Sequence, residues 1–432
     1  MKLNKTTFKQ TEIGMIPEDW KVKEIGEVSE VVGGGTPSTK ISEYWDGDIA
    51  WITPRDLSTF KFRYIKRGER NITKDGLENS SAKLLPKGTV LLTTRAPVGY
   101  LAIAEDEVTT NQGFRNLIPN DKTTSQFLFY LLKQNVDVLK SNAGGTTFGE
   151  LSGSRLKELK FAFPSLPEQS AIAKILSDLD AKIELNQQMN KTLEEIGKAI
   201  FKHWFVDFEF PNEEGKPYKS SGGDMVFDEE LGKEIPKGWY VGCLEEFGAF
   251  KNGINYLRNE SGDTEFFIAN VRDIANNKLL LKEHLDKIEI NLKKAKEYLL
   301  HNRDILIARS ASPGEVSLVL GDLENVIYSG FSIRYRLNNP ENFLYFFLIL
   351  QKLKENLSNY AVGTTLQSVN QETLRNMKLV LPTNEVLNKF NKIIGQILGK
   401  TYNNLIQNQT LSSIRDSLLP KLMSGKIRVP IE

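Results

Sequence analysis

Two glycine-containing segments of the sequence have residues that could bind phosphate. The segment GQILGKT, residues 395–401, contains glycine, lysine and threonine in the order of a phosphate-binding loop. That loop requires four residues between its glycines, whereas this segment has three. The segment VVGGGTPS, residues 31–38, lacks the spacing of a dinucleotide loop, and Pro37 is incompatible with the helix that should follow. Neither segment therefore predicts a nucleotide or methyl-donor site.

Histidine and cysteine, which serve most often in acid–base, zinc and thiol chemistry, are scarce in this chain. The chain contains one cysteine, Cys243, and three scattered histidines, His203, His284 and His301. This set excludes an internal disulfide and is too small for a zinc site. The Asn/Asp-Pro-Pro-aromatic tetrapeptide of amino-methyltransferases is missing, and no convincing acidic pair accompanies an E-x-K motif of restriction nucleases. We therefore predict a binding protein without catalytic residues, cofactor or metal of its own.

The basic segment RDLSTFKFRYIKRGER, residues 55–70, could bind nucleic acid. Its arginines and lysines outnumber its acids, and Phe60, Phe62 and Tyr64 lie between them. One interpretation is a solvated strand and loop. The other is an edge that follows phosphates and carries arginines able to reach guanine. Because the net charge of the chain is only +1, any nucleic-acid surface must be local.

Three loops, GGGTPSTK (residues 33–40), TRAPVG (94–99) and GGTTFG (144–149), combine small hydroxyl residues with a backbone that can approach a phosphate or a base edge. On this interpretation we predict DNA contacts in both halves of the chain. The candidates in the first half are Thr36, Ser38, Lys40, Arg55, Arg63, Lys66, Arg67, Arg95, Gln112, Arg115, Thr146 and Thr147. The candidates in the second half are Asn252, Tyr256, Arg258, Arg272, Arg309, Ser310, Ser312, Thr364, Thr365 and Gln367.

The elements that must position these residues occur twice, at a nearly constant offset. IPEDW at residues 16–20 matches IPKGW at 235–239, and VLLTTR at 90–95 matches ILIAR at 305–309 with one residue deleted. Gly113-Phe114 matches Gly330-Phe331, and further matches link residues 145–148 with 363–366 and residues 156–164 with 374–382. Many landmarks in one order predict a tandem duplication. Because the loops of the two copies differ, we expect two different binding surfaces and an asymmetric, bipartite DNA site.

Each copy is predicted to contain a mixed α/β domain followed by a long helix with a heptad pattern. Residues 125–140 and 341–357 read as buried helices of the two domains. The predicted a-type positions are Ile172, Leu179, Asn186, Leu193 and Ile200 in the first long helix and Phe390, Ile397, Asn404, Leu411 and Leu418 in the second. The predicted d-type positions are Ile175, Lys182, Met189, Ile196 and His203, and Ile393, Lys400, Gln407, Ile414 and Lys421. Asn186 and Asn404 should fix the register of an antiparallel pair.

These patterns predict an α+β fold with two α/β domains separated by a pair of long antiparallel coiled-coil helices, related by a pseudo-two-fold duplication. The predicted boundaries are 1–164 for the first domain, 165–206 for the first helix, 207–234 for a linker, 235–382 for the second domain, 383–424 for the second helix and 425–432 for a tail. The chain of 432 residues is 40% hydrophobic and 26% charged, which is typical of a soluble globular protein. The single cysteine favours a reducing cytoplasm.

The sequence resembles the specificity subunit of type I restriction–modification enzymes over essentially its whole length. The resemblance rests on IPEDW and IPKGW, GGTPS…YWDGDIAWITPRDL, PSLPEQSAIAKIL, FKHWFVDFEFP and IRDSLLPKLMSGKIRV. It implies that the two domains are target recognition domains, each of which binds one half of a split DNA sequence. The long helices would set the spacer and bind two modification (methyltransferase) subunits, which restriction (translocase and nuclease) subunits join. S-adenosylmethionine, ATP and magnesium would belong to those partners.

Three alternatives remain open from the sequence. A specificity subunit of a fused nuclease–methylase system would have the same bipartite organisation. A stand-alone methyltransferase or nuclease is disfavoured by the missing catalytic motifs. A coiled-coil scaffold without a nucleic-acid role would account for the helices but not for the differing loops.

Overall fold

The computed structural model describes residues 7–144, 149–256, 262–321, 323–352 and 368–430. The strands of the first half are β1 Phe8–Thr11, β2 Gly14–Pro17, β3 Lys21–Glu24, β4 Ser29–Gly33, β5 Trp45–Ile52, β6 Tyr64–Ile65, β7 Arg70–Ile72, β8 Val90–Thr93, β9 Leu101–Ala104, β10 Thr109–Thr110, β11 Phe114–Pro119 and β12 Lys160–Phe163. The strands of the second half are β13 Met225–Asp228, β14 Lys233–Pro236, β15 Tyr240–Cys243, β16 Gly248–Asn252, β17 Thr264–Ala269, β18 Leu279–Leu280, β19 Asp286–Ile290, β20 Ile305–Ala308, β21 Val316–Val319, β22 Val326–Tyr328, β23 Ser332–Leu337 and β24 Lys378–Leu381.

The helices of the first half are Ile25–Val28, Pro54–Ser58, Lys74–Glu78, Ser125–Gln134, Val136–Ser141, Gly153–Lys157 and Leu166–Phe205. Those of the second half are Leu244–Phe247, Val271–Asn276, Leu292–Ala295, Phe343–Gln351, Gln371–Arg375 and Asn384–Met423, and short 3₁₀ turns occur at Ser42–Tyr44, Lys282–His284, Lys296–Tyr298 and Pro340–Asn342. Leu166–Phe205 is the first long helix and Asn384–Met423 the second. The predicted helix at 125–140 is interrupted at Asn135, and in the described part of 341–357 the helix is Phe343–Gln351. Among the helices described here, none is both long enough and apolar enough to cross a membrane.

The strands of the two halves form the same set of sheets, which confirms the duplication. A five-stranded sheet has the order β4-β11-β8-β9-β6 in the first half and β16-β23-β20-β21-β18 in the second. A three-stranded sheet has the order β10-β5-β7 in the first half and β22-β17-β19 in the second. The pairs β6–β9 and β18–β21 are both parallel, as are β5–β10 and β17–β22, while the other neighbours in these sheets are antiparallel.

The central strand β8 is buried on both faces, which explains its uninterrupted apolar sequence. Val90 and Leu92 pack in one core with Phe127 of the helix Ser125–Gln134, whereas Leu91 packs in a second core with Ile52 of β5. The five-stranded sheet of the first half is therefore the middle of three layers, between helices and the smaller sheet. The strand β20 has the same fully buried pattern in the second half.

A hairpin opens each copy. The hairpin of β1 and β2 pairs Phe8 with Pro17, and the hairpin of β13 and β14 pairs Met225 with Pro236. Residues 225–234 were assigned to the linker from sequence because they are rich in acids and glycine. Their pairing shows instead that the second copy begins at β13, which is earlier than the predicted boundary at residue 235.

The chain divides into two compact units. Unit 1 consists of Met1–Gln188 and Asn404–Glu432, and unit 2 consists of Met189–Asn403. Each unit therefore contains one α/β domain and one half of each long helix. In unit 1 the first long helix contacts the second through Asp180 and Arg415, whose side chains lie 2.6 Å apart. In unit 2 the side chain of Asn190 donates to the carbonyl of Thr401 at 3.3 Å.

The two long helices are antiparallel in both units, as the sequence predicts. In unit 1, Ile172 packs in one core with Leu422, whereas Asn186 bonds to Asn408, so higher numbers in one helix meet lower numbers in the other. In unit 2, Phe201 meets Phe390 with ring centroids 6.2 Å apart, while Asn190 meets Thr401.

The predicted d-type row is wrong in the second helix and in part of the first, where only Ile175, Lys182 and Met189 are half-buried as predicted. The d-type positions of the second helix are exposed, and Ile196 and His203 are exposed in the first. The residues one position later are buried or half-buried instead: Leu176, Ile183, Asn190, Gly197 and Trp204 in the first helix, and Ile394, Thr401, Asn408, Arg415 and Leu422 in the second. Positions i+3 and i+4 both lie on one helix face, so spacing alone does not determine which of them turns inward. The a-type row is buried or half-buried, as predicted.

The tryptophan of each opening motif belongs to a core. In unit 1, Trp20 is fully buried and its indole N–H donates to Glu168 at 3.2 Å. The Arg428 guanidinium binds both Glu168 and Asp19, at 2.6 Å each, and so attaches the C-terminal segment to the same place. In unit 2 the ring of Trp239 lies 5.0 Å from the ring of Phe210. Each tryptophan is thus covered by the segment that follows a long helix.

Candidate DNA interface

In unit 1 the turn at residues 111–113, between β10 and β11, joins loops that are distant in sequence. The backbone N–H of Thr94 donates to the carbonyl of Gly113 at 2.8 Å. The hydroxyl of Thr36 donates to the side-chain oxygen of Gln112. Two of the predicted contacts, Thr36 and Gln112, therefore meet at this turn.

The glycine-rich loop of residues 33–40 lies directly against the same turn. A Cβ atom on Gly34 would be 2.0 Å from the carbonyl oxygen of Asn111, so a side chain there would displace the backbone. The indole N–H of Trp51 donates to the carbonyl of Gly35 at 2.9 Å and holds the loop in place. Glycine is needed here for close packing, and this packing fixes the position of the residues that follow.

Ser38 and Lys40 lie at the far end of this loop and are exposed. The carbonyl of Ser38 accepts a hydrogen bond from the indole of Trp45 at 3.1 Å, which fixes the backbone of the loop at this residue. Lys40 forms no ion pair within the described ranges, so its charge is available to an anion.

The short helix Pro54–Ser58 presents Arg55 to solvent beside the turn. The Arg55 side chain is 84% exposed and lies 3.9 Å from the carboxylate of Glu69. A Cβ atom on Gly113 would be 3.0 Å from the ring of Pro54, which shows how close the start of this helix is to the turn. Arg55 can therefore contact a phosphate or base that approaches the turn.

Arg95 and Arg115 converge on a single carboxylate. Glu150 lies 2.9 Å from Arg95 and 3.0 Å from Arg115, and Arg115 also donates to the carbonyl of Phe114 at 2.9 Å. Glu150 was not among the residues predicted from the sequence, although an acid that directly follows a hydroxyl-rich loop is visible there. Glu150 neutralises part of the charge of the arginines and orients both guanidinium groups.

Lys66 and Arg67 bind groups outside the turn at residues 111–113. Lys66 lies 3.2 Å from Asp106 in an exposed ion pair, and Arg67 donates to the carbonyl of Asp48 at 3.3 Å. No contact within the described residues connects either of them with the turn at residues 111–113.

Arg63 is not available to DNA in this structure. The residue is 7% exposed, and its guanidinium binds the Glu184 carboxylate of the first long helix with distances of 3.2 and 3.1 Å. Its backbone N–H donates to the same carboxylate at 2.7 Å. We correct the prediction for Arg63 accordingly, because this side chain attaches the domain to the helix.

Unit 2 has the same turn with different side chains. The backbone N–H of Arg309 donates to the carbonyl of Phe331 at 2.9 Å, as that of Thr94 donates to Gly113 in unit 1. The two turns therefore align Phe331 with Gly113, one residue away from the match made by sequence, which aligned Gly330 with Gly113. Glycine in both sequences favoured the wrong match, and the hydrogen bonds of the strands give the correct one.

The same correction applies to the strands β8 and β20. The last residue of each strand accepts a hydrogen bond from the glycine that closes the following turn, at 2.9 Å in unit 1 and 3.0 Å in unit 2. No residue is deleted between them. Arg95 therefore corresponds to Ser310, and Arg309 corresponds to the buried Thr94. Arg95 and Arg309 look equivalent in sequence, but their positions differ. Arg95 is the second residue after β8, whereas Arg309 is the first residue after β20.

Asn255 takes the place of Thr36 in unit 2 and was missed by the sequence analysis. A Cβ atom on Gly330 would be 2.1 Å from the side-chain oxygen of Asn255, so this amide lies over the turn as Thr36 does in unit 1. Alignment of KNGIN with GGGT would have identified it. The side chain is exposed and can donate and accept hydrogen bonds.

Two predicted polar residues of unit 2 are bonded within the protein. The side-chain oxygen of Asn252 accepts a hydrogen bond from Gln371 at 2.9 Å. The hydroxyl of Tyr256 donates to Asn270 at 3.3 Å. Both contacts orient loops around the turn at residues 329–331.

The predicted arginines of unit 2 differ in their pairing. Arg272 lies 2.5 Å from Asp286, whose carboxylate accepts its hydrogen bond and raises the pKa of the guanidinium. Arg309 is exposed and forms no ion pair with any residue that the structure describes. Ser310 and Ser312 lie in the turn after β20, where the N–H of Ser312 donates to the carbonyl of Ser310 at 2.7 Å.

Asn186 and Asn404, the asparagines predicted to fix the helix register, are both buried. The amide of Asn186 donates to Gln407 and to Asn408, at 2.8 Å each, within unit 1. Asn404 is 2% exposed. Such bonds favour one register of the two helices over a shifted one, because a slip would leave a buried amide without partners.

The predicted contacts Thr146, Thr147, Arg258, Thr364, Thr365 and Gln367 lie outside the described residues. In the part of the chain that is described, no group of three or more histidine, cysteine or acidic residues is arranged to hold a metal ion.

Comparison with known proteins identifies the duplicated region. A model of the family described as "Type I restriction modification DNA specificity domain" matches twice, at residues 17–195 and 236–415. The chain is 41% identical to the type I restriction enzyme MjaIX specificity subunit of Methanocaldococcus jannaschii, over 98% of this chain and 97% of that protein. It is 26% identical to the HindI specificity subunit of Haemophilus influenzae, over 95% of this chain and 100% of that protein. In fold it is similar to the crystal structure of a type I S subunit from M. genitalium, with a TM-score of 0.59, 19% identity and 98% of each chain covered.

Proposed function

The chain belongs to the type I restriction–modification specificity subunits, and on that premise we propose that its two α/β domains bind the two halves of an asymmetric, bipartite DNA site. The observation that carries this proposal is the pair of equivalent turns on one duplicated scaffold. The turn of unit 1 carries Gln112 beside Thr36 and then Gly113, whereas the turn of unit 2 carries Gly330 beneath Asn255 and then the exposed Phe331. Two different half-sites require different side chains at the DNA-facing turns, and the duplicated fold holds such side chains at equivalent turns.

The chemistry of the two turns suggests different kinds of recognition. Gln112 and Thr36 have amide and hydroxyl groups, which can bond to base edges in the major groove, where an amide suits adenine. The exposed cations Lys40 and Arg55 in unit 1, and Arg309 in unit 2, would neutralise phosphates and set the orientation of the duplex. With a net charge of only +1, the chain must do this through such local groups.

The partners and cofactors follow from the family. We propose that the paired helices bind two methyltransferase subunits and that restriction subunits complete the complex, which acts against foreign DNA. The chain itself is then non-catalytic, and S-adenosylmethionine, ATP and magnesium are bound by the partners. This division agrees with a sequence that is poor in histidine and cysteine.

Exchange of one domain tests the proposal. Replacement of residues 15–150 by the same region of another family member should change one half-site and leave the other half-site and the spacer unchanged. The measurement is a map of methylated adenines in the genome of a host that expresses the full complex. The matched control is the equivalent exchange in the second copy, which should alter only the other half-site. A change of both half-sites in either exchange would contradict the proposal that each domain binds one half-site.

The length of the long helices is expected to set the spacer between the half-sites. Removal of one heptad from both helices shortens the pair by about 10 Å, which corresponds to about three base pairs of duplex. Two helical turns are lost, so each helix keeps its buried face. Methylome mapping should show the same half-sites with a shorter spacer. Removal from one helix alone is the control and should abolish methylation, because the buried rows no longer match. An unchanged spacer in the double deletion would refute the role of the helices.

A further inference from the structure

We propose that Phe331 acts as a wedge that inserts at a base step of the half-site bound by unit 2. This inference rests on the proposed function and adds a residue and a mode of recognition to it. Phe331 is 66% exposed, more than any other large hydrophobic residue in the described ranges. An exposed apolar side chain alone is common on protein surfaces, so the inference depends on how this one is held and what surrounds it.

The backbone that carries Phe331 is fixed. Gly330 donates to the carbonyl of Ile254 at 2.8 Å, and Arg309 donates to the carbonyl of Phe331 at 2.9 Å. Ser332 donates to the carbonyl of Ser329 at 2.9 Å and closes the turn. The ring is therefore presented to solvent on a rigid support, and little further order is lost when it inserts.

The residues around the ring favour a nucleic acid as the occupant. Arg309, which is hydrogen-bonded to Phe331 through the backbone, is exposed and has no ion-pair partner in the described structure. Asn255 and Asn252 of the adjoining loop are exposed amides. A ring among a cation and amides can stack on a base while the cation neutralises a phosphate.

A second surface of the same unit illustrates the contrast with a protein-binding patch. Val226 and Phe227 are neighbours on β13, and they are 51% and 61% exposed. Adjacent apolar side chains of this kind form a contiguous patch, which is typical of protein–protein contacts. Phe331 has no large exposed hydrophobic neighbour in the turn at residues 329–331, so a flat base fits it better than a protein surface does.

Unit 1 lacks the wedge at the equivalent position. Gly113 takes the place of Phe331, and a Cβ atom there would already be 3.0 Å from the ring of Pro54. The two half-sites should therefore differ in mechanism. Unit 1 would depend on hydrogen bonds from Gln112, and unit 2 would depend on the ease with which one base step opens.

The test uses the complete complex and duplexes that contain its mapped site, with 2-aminopurine placed at each position of each half-site in turn. A methyltransferase extrudes its target base, so the methylated adenines are expected to brighten in any case. At the other positions, binding of the wild-type complex should raise the fluorescence at one step of the unit 2 half-site, because the probe loses stacking there. Phe331→Ala should abolish this rise and weaken binding by about tenfold to a hundredfold, the loss expected for one stacked base. Phe331→Trp should retain the rise, and Leu292→Ala, which removes a 50% exposed apolar side chain elsewhere in unit 2, should behave as wild type.

The outcomes separate the two proposals. Specific binding by the wild type together with unchanged affinity and fluorescence in Phe331→Ala would overturn the wedge and leave the proposed function intact. Failure of the wild-type complex to discriminate between its mapped site and a scrambled duplex would overturn both. Phe331→Leu provides a second variant, since leucine is itself a wedge side chain, and it should retain part of the fluorescence rise that Ala loses.

Discussion

Replacement of Asp180 by alanine should lower the free energy of unfolding by about 3–5 kcal/mol, the usual effect of removing one partner of a buried ion pair. The Asp180 carboxylate accepts hydrogen bonds from the Tyr130 hydroxyl at 2.7 Å and from the Arg415 guanidinium at 2.6 Å. The Asp180 side chain is 6% exposed and that of Arg415 is 17% exposed. Without the carboxylate, Arg415 keeps its charge where water reaches it poorly.

Burial also lowers the pKa of Lys133, so the ammonium group of this residue is already destabilised in this part of unit 1. Asp180, Lys133 and Arg415 line a cavity of about 320 Å³, and Arg63 also lines it. A second change that removes Arg415, as in Asp180→Leu/Arg415→Met, should recover part of the loss, because an uncharged pair avoids the desolvation of a charge whose remaining carboxylate partner, Asp416, is exposed.

The measurement is urea unfolding of the full chain with its partners absent and present, followed by fluorescence and circular dichroism. Asp178→Ala is the matched control, two residues earlier on the same helix. Its ion pair with Lys174 is 2.6 Å long but exposed, and its loss should change the stability by only about 0.3–0.5 kcal/mol. Equal effects of the two substitutions would contradict the structural role of Asp180.

Phe390→Ala should destabilise unit 2 by about 3–5 kcal/mol, the usual range for removal of a buried aromatic ring. Phe390 is fully buried and belongs to a cluster of rings at the helix pair. Its centroid lies 4.7 Å from that of Phe205 and 5.8 Å from that of Trp204. The ring connects the two long helices, so its loss leaves a cavity that neither helix can fill without moving.

A spectroscopic measurement can follow the same change. Burial raises the pKa of Tyr345, which lies in this cluster with its ring 4.8 Å from that of Phe205. In Phe390→Ala water should enter and the pKa of Tyr345 should fall toward its ordinary value, so that its absorbance at 295 nm appears at lower pH. Phe227→Ala removes an exposed ring from the same unit and should alter stability by less than about 0.5 kcal/mol. Equal losses from Phe390→Ala and Phe227→Ala would show that the cluster does not hold the helices together.

The sequence could not assign side chains within a basic segment. Arg63, Lys66 and Arg67 lie within a few residues of one another and look equally suited to DNA. Arg63 is buried because Glu184, 121 residues away, receives its guanidinium. Tertiary packing determines which charged side chains form ion pairs, and the local sequence pattern does not show this pairing.

The duplication, the two α/β domains, the two long helices and their antiparallel pairing could all be predicted from the amino-acid sequence. These features follow from order and periodicity along the chain. The inward row of each helix and the equivalents of Arg309 and Phe331 depend on tertiary contacts and could not be predicted. A shift of one residue leaves the composition of a segment unchanged, yet it moves a side chain from a buried face to solvent, and only hydrogen bonds between distant strands and contacts between helices fix that choice.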